Sequence, residues 1–238
     1  MRNHSAILLL VILWAGAELA NGGDITGQVT LRGTPRPEVT VDLSPDANCV
    51  ALHKQPLKTR HYLVDSNGGL ANVLVYIKSG LERKRYPVPT ESVLLDQTNC
   101  LYEPYVMGVM VNQKIRIRNS DPTLHNVHAT PKPGGGNREF NFTQPIQGME
   151  TEKSFPAVEI PIRFKCDVHP WMFAYVAVFD HPFYAVTAKD GTYTIQNVPK
   201  GKYVLEAFHE KTHRQKSGVT REVTVDGDAR ADFVVELP

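Results

Sequence analysis

The chain has 238 residues, enough for one large domain or two small ones, each with a core of its own. Its 26 Lys and Arg against 25 Asp and Glu exclude a general nucleic-acid or anionic-membrane binder, which would carry a basic excess or a basic run. No phosphate-cradling glycine motif occurs, since Gly134-Gly135-Gly136 runs into Asn137-Arg138 and reads as a flexible loop.

In chain order, the first segment is MRNHSAILLLVILWAGAELANGG. Arg2 gives a positive start, Ala6 to Ala17 is almost wholly apolar, and Ala15-Gly16-Ala17 has the small-x-small form of a cleavage site. Residues 1–20 therefore read as a secretory signal peptide, cleaved between about Ala17 and Ala20, whose apolar part is short for a membrane span. The mature chain is expected in the periplasm or secreted, with no membrane span. Export alters the meaning of the cysteines Cys49, Cys100 and Cys166, because two can pair and the odd one needs protection. Cys166 sits among other candidate ligands, which leaves Cys49 and Cys100 as the expected disulfide; three reduced thiols are the other reading.

Beyond the signal, strand patterns recur at Asp24–Leu31, Ala71–Lys78, Tyr105–Val111 and Lys114–Arg118. Others follow at Ile160–Lys165, Phe173–Phe179, Thr192–Gln196, Lys202–His209, Thr220–Val225 and Ala231–Leu237. Turn signals separate them, among them Asp65-Ser66-Asn67-Gly68-Gly69, Lys189-Asp190-Gly191 and Pro199-Lys200-Gly201. The pattern predicts an all-β protein of sandwich type, with one short helix within Asn48–Lys58. The period of two in Ile160–Cys166 aims Ile160, Ile162, Phe164 and Cys166 inward. In Lys114–Arg118 the isoleucines face in, and the strand leads into Asn119 to His128, read as a turn carrying His125 and His128.

The stretch FKCDVHPWM, Phe164 to Met172, places a thiol, an imidazole and a thioether within seven residues. The spacing C-x2-H-x2-M brings three ligands to one point if the loop reverses at once, which Pro170 helps to fix. His125, on another loop, is the candidate fourth. One Cys, two His and a weak Met form the blue-copper set, able to hold both Cu(I) and Cu(II). A structural zinc site would want four strong N or S ligands and no thioether. A Cys-His nucleophile, with Asn126 orienting His125, leaves Met172 unexplained. Metal-free packing accommodates Cys and Met but not two imidazoles. The absence of C-x-x-C-H removes covalent haem attachment.

The pair His125-Asn126-Val127-His128 and Cys166-Asp167-Val168-His169-Pro170-Trp171-Met172 resembles the copper signature of the cupredoxins, most closely the amicyanin type with its short C-x2-H-P-x-M loop. The likeness spans about Val93 to Asp180. It implies one copper ion held by His125, Cys166 and His169 in the equatorial plane and Met172 axially. It also implies that Asn126 ties the two ligand loops together and that His128 faces away. The edge offered to a partner would be His169-Pro170-Trp171, with Trp171 either a packed lid or part of an apolar docking rim.

Asp190-Gly191-Thr192-Tyr193 followed by Pro199-Lys200-Gly201-Lys202-Tyr203-Val204-Leu205 is similar to carboxypeptidase-regulatory-like, transthyretin-like β-sandwiches. Their opening strands resemble Ile25–Thr30 and Ala71–Tyr76, which here precede the copper segment. The whole chain resembles exported bacterial proteins labelled as methylamine-utilization type, in which the position of Tyr105 is commonly His; Tyr105 is not assigned to the site. The resemblance implies a Greek-key cupredoxin sandwich plus a smaller Ig- or transthyretin-like one. The map is 1–20 signal, 21–92 an N-terminal β segment able to complete the C-terminal sandwich, 93–180 the copper domain, and 181–238 the regulatory-like sandwich.

The expected function is single-electron transfer between transient redox partner proteins. The alternative is an extracytoplasmic module that binds carbohydrate or protein, with copper structural or stored. Four filled ligands leave no open position for an enzyme. His209-Glu210 lacks a second zinc-protease histidine, His181 reads as an interdomain hydrogen-bonding residue, and Asn141-Phe142-Thr143 is a sequon of the kind common by chance.

Overall fold

The computed structural model describes residues 22–212 and 217–237, so the expected signal peptide lies outside the described residues. Strand β1 is Gly23–Arg32, helix α1 is Ala47–Leu52, β2 is Leu74–Ser79, β3 is Val93–Thr98 and β4 is Leu101–Glu103. Next come β5 (Val106–Met110), β6 (Ile115–Asn119), β7 (His125–Thr130), β8 (Phe140–Gln144) and β9 (Glu150–Lys153). Then follow β10 (Glu159–Lys165), β11 (Phe173–Phe179), β12 (Tyr184–Val186) and β13 (Thr192–Val198). The last are β14 (Gly201–Phe208), β15 (Val219–Val225), β16 (Ala229–Arg230) and β17 (Phe233–Glu236). The protein is all-β, built of packed sheets.

Two sheets come from the ends of the chain. One has the order β13-β1-β16, with β17 also paired to β1, and the other runs β12-β2-β14-β15. Ile25, Val29, Val75, Ile77, Ile195, Leu205, Phe233 and Val235 from both sheets fill one buried core. The remaining two sheets, β5-β11-β10-β7-β8 and β4-β3-β6-β9, use only strands between Val93 and Phe179. They enclose a second core that includes Leu95, Ile115, Ile117, Val127, Ile162, Phe164 and Val176.

Strand β11 joins the two halves. Its sequence FAYVAVF is apolar throughout, as expected of a strand covered on both faces. Ala174, Val176 and Val178 point into the second core. Tyr175, Ala177 and Phe179 turn the other way, against Leu74, Tyr76 and Phe208 of the end-built half. Gly108 on β5 makes room here: a Cβ would lie 2.4 Å from the Tyr184 ring, which stacks on Phe179 at 4.5 Å between centroids.

The strands read from alternation recur within a residue or two, except at Ala71–Lys78, where pairing starts only at Leu74; the two-residue β16 just before the last of them was not expected. Two expectations are corrected. His125 to His128 is not part of a turn; the turn ends at Leu124 and His125 opens β7, paired with β8. Ile160 does not share the inward face of Ile162 and Phe164, because the pairing of β10 with β11 slips between Glu159 and Ile162. It packs instead beside Tyr105 and Tyr175.

Phe164 anchors the second core, fully buried and edge-on to both Phe140 and Phe155. Phe164→Ala is expected to cost about 3–5 kcal/mol of unfolding free energy, read as a lower denaturant midpoint. A loss under about 1 kcal/mol would show that this core does not hold the sheets together.

Candidate metal centre

The turn from β6 to β7 delivers His125. Asn119, the last residue of β6, uses its side-chain N–H to bond the carbonyls of Thr123 and Gln144, both at 2.8 Å. Its side-chain oxygen accepts the Asp121 amide at 2.9 Å, so the turn is held from within. The second loop leaves β10 and returns at once. The Cys166 amide donates to the Met172 carbonyl at 2.9 Å, and the Met172 amide donates to the His169 carbonyl at 2.9 Å. Asn126 links the two: its side-chain oxygen accepts the Asp167 amide at 3.0 Å, and its own amide points at Cys166 Sγ from 3.4 Å.

These loops bring His125, Cys166 and His169 together, with their ligand atoms all within 4.8 Å of one another. The two imidazole Nδ1 atoms are 3.1 Å apart, and Cys166 Sγ is 3.7 Å from His169 Nδ1. Donor atoms that share one first-row ion through bonds of about 2.0–2.3 Å stand about 3–4 Å apart. His125 is 0 % exposed, His169 1 %, Cys166 2 % and Met172 0 %. Met172 packs in the same core as Cys166.

Both imidazoles carry a carboxylate on the far side. His125 Nε2 donates to Asp121 Oδ2 at 2.8 Å, and His169 Nε2 donates to Asp46 Oδ2 at 2.9 Å. An ionised carboxylate only accepts, so each ring is protonated at Nε2 and turns an acceptor Nδ1 toward the other. Two buried nitrogens facing at 3.1 Å need a positive charge between them, either a proton on one ring or a metal ion. That requirement, with a thiol and a thioether beside it, is the chemistry of a metal site, and the residues fit one.

Electrostatics favour the thiolate of Cys166, the form that binds metal. Burial pushes the Cys166 thiol up, but contact with His169 and the amide of Asn126 outweighs this and lowers it below the usual thiol value. Burial lowers His169, whereas Cys166 and Asp46 raise it further, and the net shift is upward. Burial raises the Asp46 carboxyl, yet His169, the amides of Asn48 and Cys49 and the Thr123 hydroxyl hold it below the usual carboxylate range.

Sequence reading missed the two carboxylates. Asp121, four residues before His125 in the same turn, was visible as D-x-x-x-H. Asp46 was not, since it lies 123 residues from His169 and reaches it as the N-cap of α1. The expected disulfide between Cys49 and Cys100 is present and pins α1 to the turn after β3. Cys49 Sγ ends 3.7 Å from His169 Nε2. This covering segment corrects one expectation: His169 is not part of an exposed partner-facing edge. Trp171 is half-buried, its indole N–H bonds the Cys100 carbonyl at 3.1 Å, and its ring lies 5.2 Å from that of His169.

The remaining histidines lie elsewhere. His128 is bonded to Asp167 at 2.7 Å and to Glu139 at 2.6 Å, on the side of β7 away from the centre. His181 pairs with the Ile77 carbonyl at 3.0 Å, and His209 with Thr212. Tyr105 is buried under the Arg60 guanidinium, 4.6 Å from its ring centre.

Among solved structures, the chain is similar to several copper proteins. A Cu-containing nitrite reductase from Thermus scotoductus SA-01 matches at 14% identity and a TM-score of 0.35, over 42% of this chain; the chain spans 25% of that enzyme. A methionine-to-alanine mutant of amicyanin in its Cu(I) form matches at 19% identity and a TM-score of 0.32, over 42% of this chain and 96% of that one. A purple cupredoxin from Nitrosopumilus maritimus matches at 19% identity and a TM-score of 0.30, over 37% and 99%. No family model and no curated protein matches the sequence. Among the described residues no helix is long and apolar enough to cross a membrane.

Proposed function

We propose that the protein is an exported carrier of single electrons with one mononuclear copper ion at this centre, and not an enzyme. The observation that carries the reading is the convergence of the His125 and His169 Nδ1 atoms and the Cys166 sulfur in a buried cluster. His125, Cys166 and His169 would hold the ion, with Met172 as the weak fourth ligand. Copper bound there would supply a one-electron couple.

The chain's own residues make that couple usable. The Asn126 amide and His169 favour the thiolate of Cys166, and Asn126 fixes the distance between the loops. Strands on both sides hold the ligands, so little needs to move when charge changes, and burial excludes water. Asp46 covers the His169 edge, so the way out runs from the His169 ring across Trp171 to the surface beside Pro170. A redox partner would dock there weakly, over less than about 1,200 Å².

In this reading residues 93–180 form the copper unit. Residues 21–92, apart from the covering segment around α1, and 181–238 would supply a carboxypeptidase-regulatory-like sandwich into which that unit is inserted, and residues 1–20 would direct export to the periplasm or beyond. The alternative of a carbohydrate-binding module gains little from the sandwich, since Tyr193 and Tyr203 are buried in its core and offer no stacking face to a sugar.

Titration of purified protein with Cu(II), followed in the visible range, tests the proposal. One equivalent is expected to produce an intense thiolate-to-copper absorption. Saturation without such a band, or no uptake, would overturn it.

A further inference from the structure

Each imidazole of the centre is backed by a carboxylate, and one of those carboxylates comes from a part of the chain outside the two ligand loops. Asp46 reaches His169 from the N-terminal segment, at 2.9 Å, while also accepting the amides of Asn48 and Cys49 at the start of α1. Asp121 reaches His125 at 2.8 Å and accepts the amides of Asn99 and Cys100, both at 2.7 Å. Asp121 is 3 % exposed and Asp46 18 %. Both are therefore held in place by backbone groups and are poorly screened by water.

We infer that Asp46 and Asp121 are positioning residues that bias the centre toward the oxidised ion, setting its potential below that of the same ligands without the two carboxylates. This inference rests on the copper reading. The physical reason is charge. With the Cys166 thiolate, the two carboxylates place three negative charges around the ligand atoms, two of them one imidazole away. A dication gains more from that field than a monocation, so Cu(II) is stabilised relative to Cu(I) and the potential falls. The same hydrogen bonds make each imidazole a stronger base, which again favours the higher charge. The covering segment thus takes part in the redox chemistry as well as shielding it.

Asp46→Asn and Asp121→Asn remove the charge at nearly constant shape. Asparagine caps a helix as well as aspartate does, but its single oxygen replaces two acceptors, so each variant also gives up one of the bonds to the amides or to Nε2. Copper-loaded protein and variants are equilibrated with redox dyes while the visible band is followed. Each variant is expected to keep the band and to shift the reduction equilibrium about tenfold toward Cu(I), which is about 59 mV for one electron. Cu(II) affinity should fall about 10- to 100-fold, with a smaller loss for Cu(I). Bands retained in both variants with reduction equilibria unchanged within about threefold would overturn the inference and leave the copper reading standing. A wild-type chain that forms no thiolate-copper band overturns both. Circular dichroism of the two variants separates either result from misfolding, and Asp46, at the rim, is the one least able to disturb the core.

Discussion

Cys166→Ser is expected to abolish the visible absorption of the copper-loaded protein while the fold persists. The sulfur is 2 % exposed and sits among Val127, Phe164, Met172 and Ala174 in the core. Serine is close to cysteine in size, and its hydroxyl can take the Asn126 amide that now points at the sulfur from 3.4 Å. The cost to stability is therefore about 1 kcal/mol. The cost to the metal is far larger, because a hydroxyl does not ionise near neutral pH and the only anionic ligand is gone. Removal of an outer-shell partner alone costs about 10- to 100-fold in metal affinity, so loss of the thiolate should exceed about 100-fold. Competition against a chelator of known strength and an optical scan measure both. A variant that keeps the band would prove that the sulfur is not a ligand, and the electron-carrier reading would go with it.

The second large effect concerns the disulfide. Cys49 and Cys100 are both fully buried and close a loop with a sequence separation of 51 residues. Chain-entropy arithmetic for a loop of that length gives about 4 kcal/mol of stabilisation. Cys49→Ala combined with Cys100→Ala should therefore lower the unfolding free energy by about 4 kcal/mol, read by denaturant titration against the oxidised wild type. It should also loosen the cover of His169, since Asp46 is three residues before Cys49 on the same helical cap. A fall below about 1 kcal/mol would show that the Val41 to Leu57 segment is held by its packing alone.

The parts of this molecule legible in the sequence are those written in short-range patterns. Alternation in Lys114–Arg118 and Ile160–Lys165 announces their strands, and C-x2-H-x2-M announces the tight Cys166–Met172 loop, because each is decided by residues within one turn or one strand. His125 lies 41 residues upstream of Cys166 and is reached only as the fourth ligand the loop lacks, with Asn126 and His128 supporting it through the resemblance. Besides β7 and the short β4, β12 and β16, the sequence did not announce β3, β8 and β9, and for these three there is a physical reason. Val93–Thr98 mixes Asp and Gln with its apolar residues, and Phe140–Gln144 and Glu150–Lys153 lie at sheet edges where one face meets water. Asp46 was beyond reach for another reason: only the folded path of Gly33 to Tyr62, and the disulfide that secures it, decides what a carboxylate in a surface turn will touch.

The chain's first and last strands run side by side, Val29–Arg32 parallel to Phe233–Glu236. All strands between Val93 and Phe179, by contrast, find their partners inside that interval. During synthesis the interior half thus has every strand partner it needs while β1 and β2 still wait for the ribosome to release β12 through β17. The half that holds His125, Cys166 and His169 can mature first, with Cys49 already tethered to it through Cys100, and the end-built sandwich closes around it like a clasp fastened last.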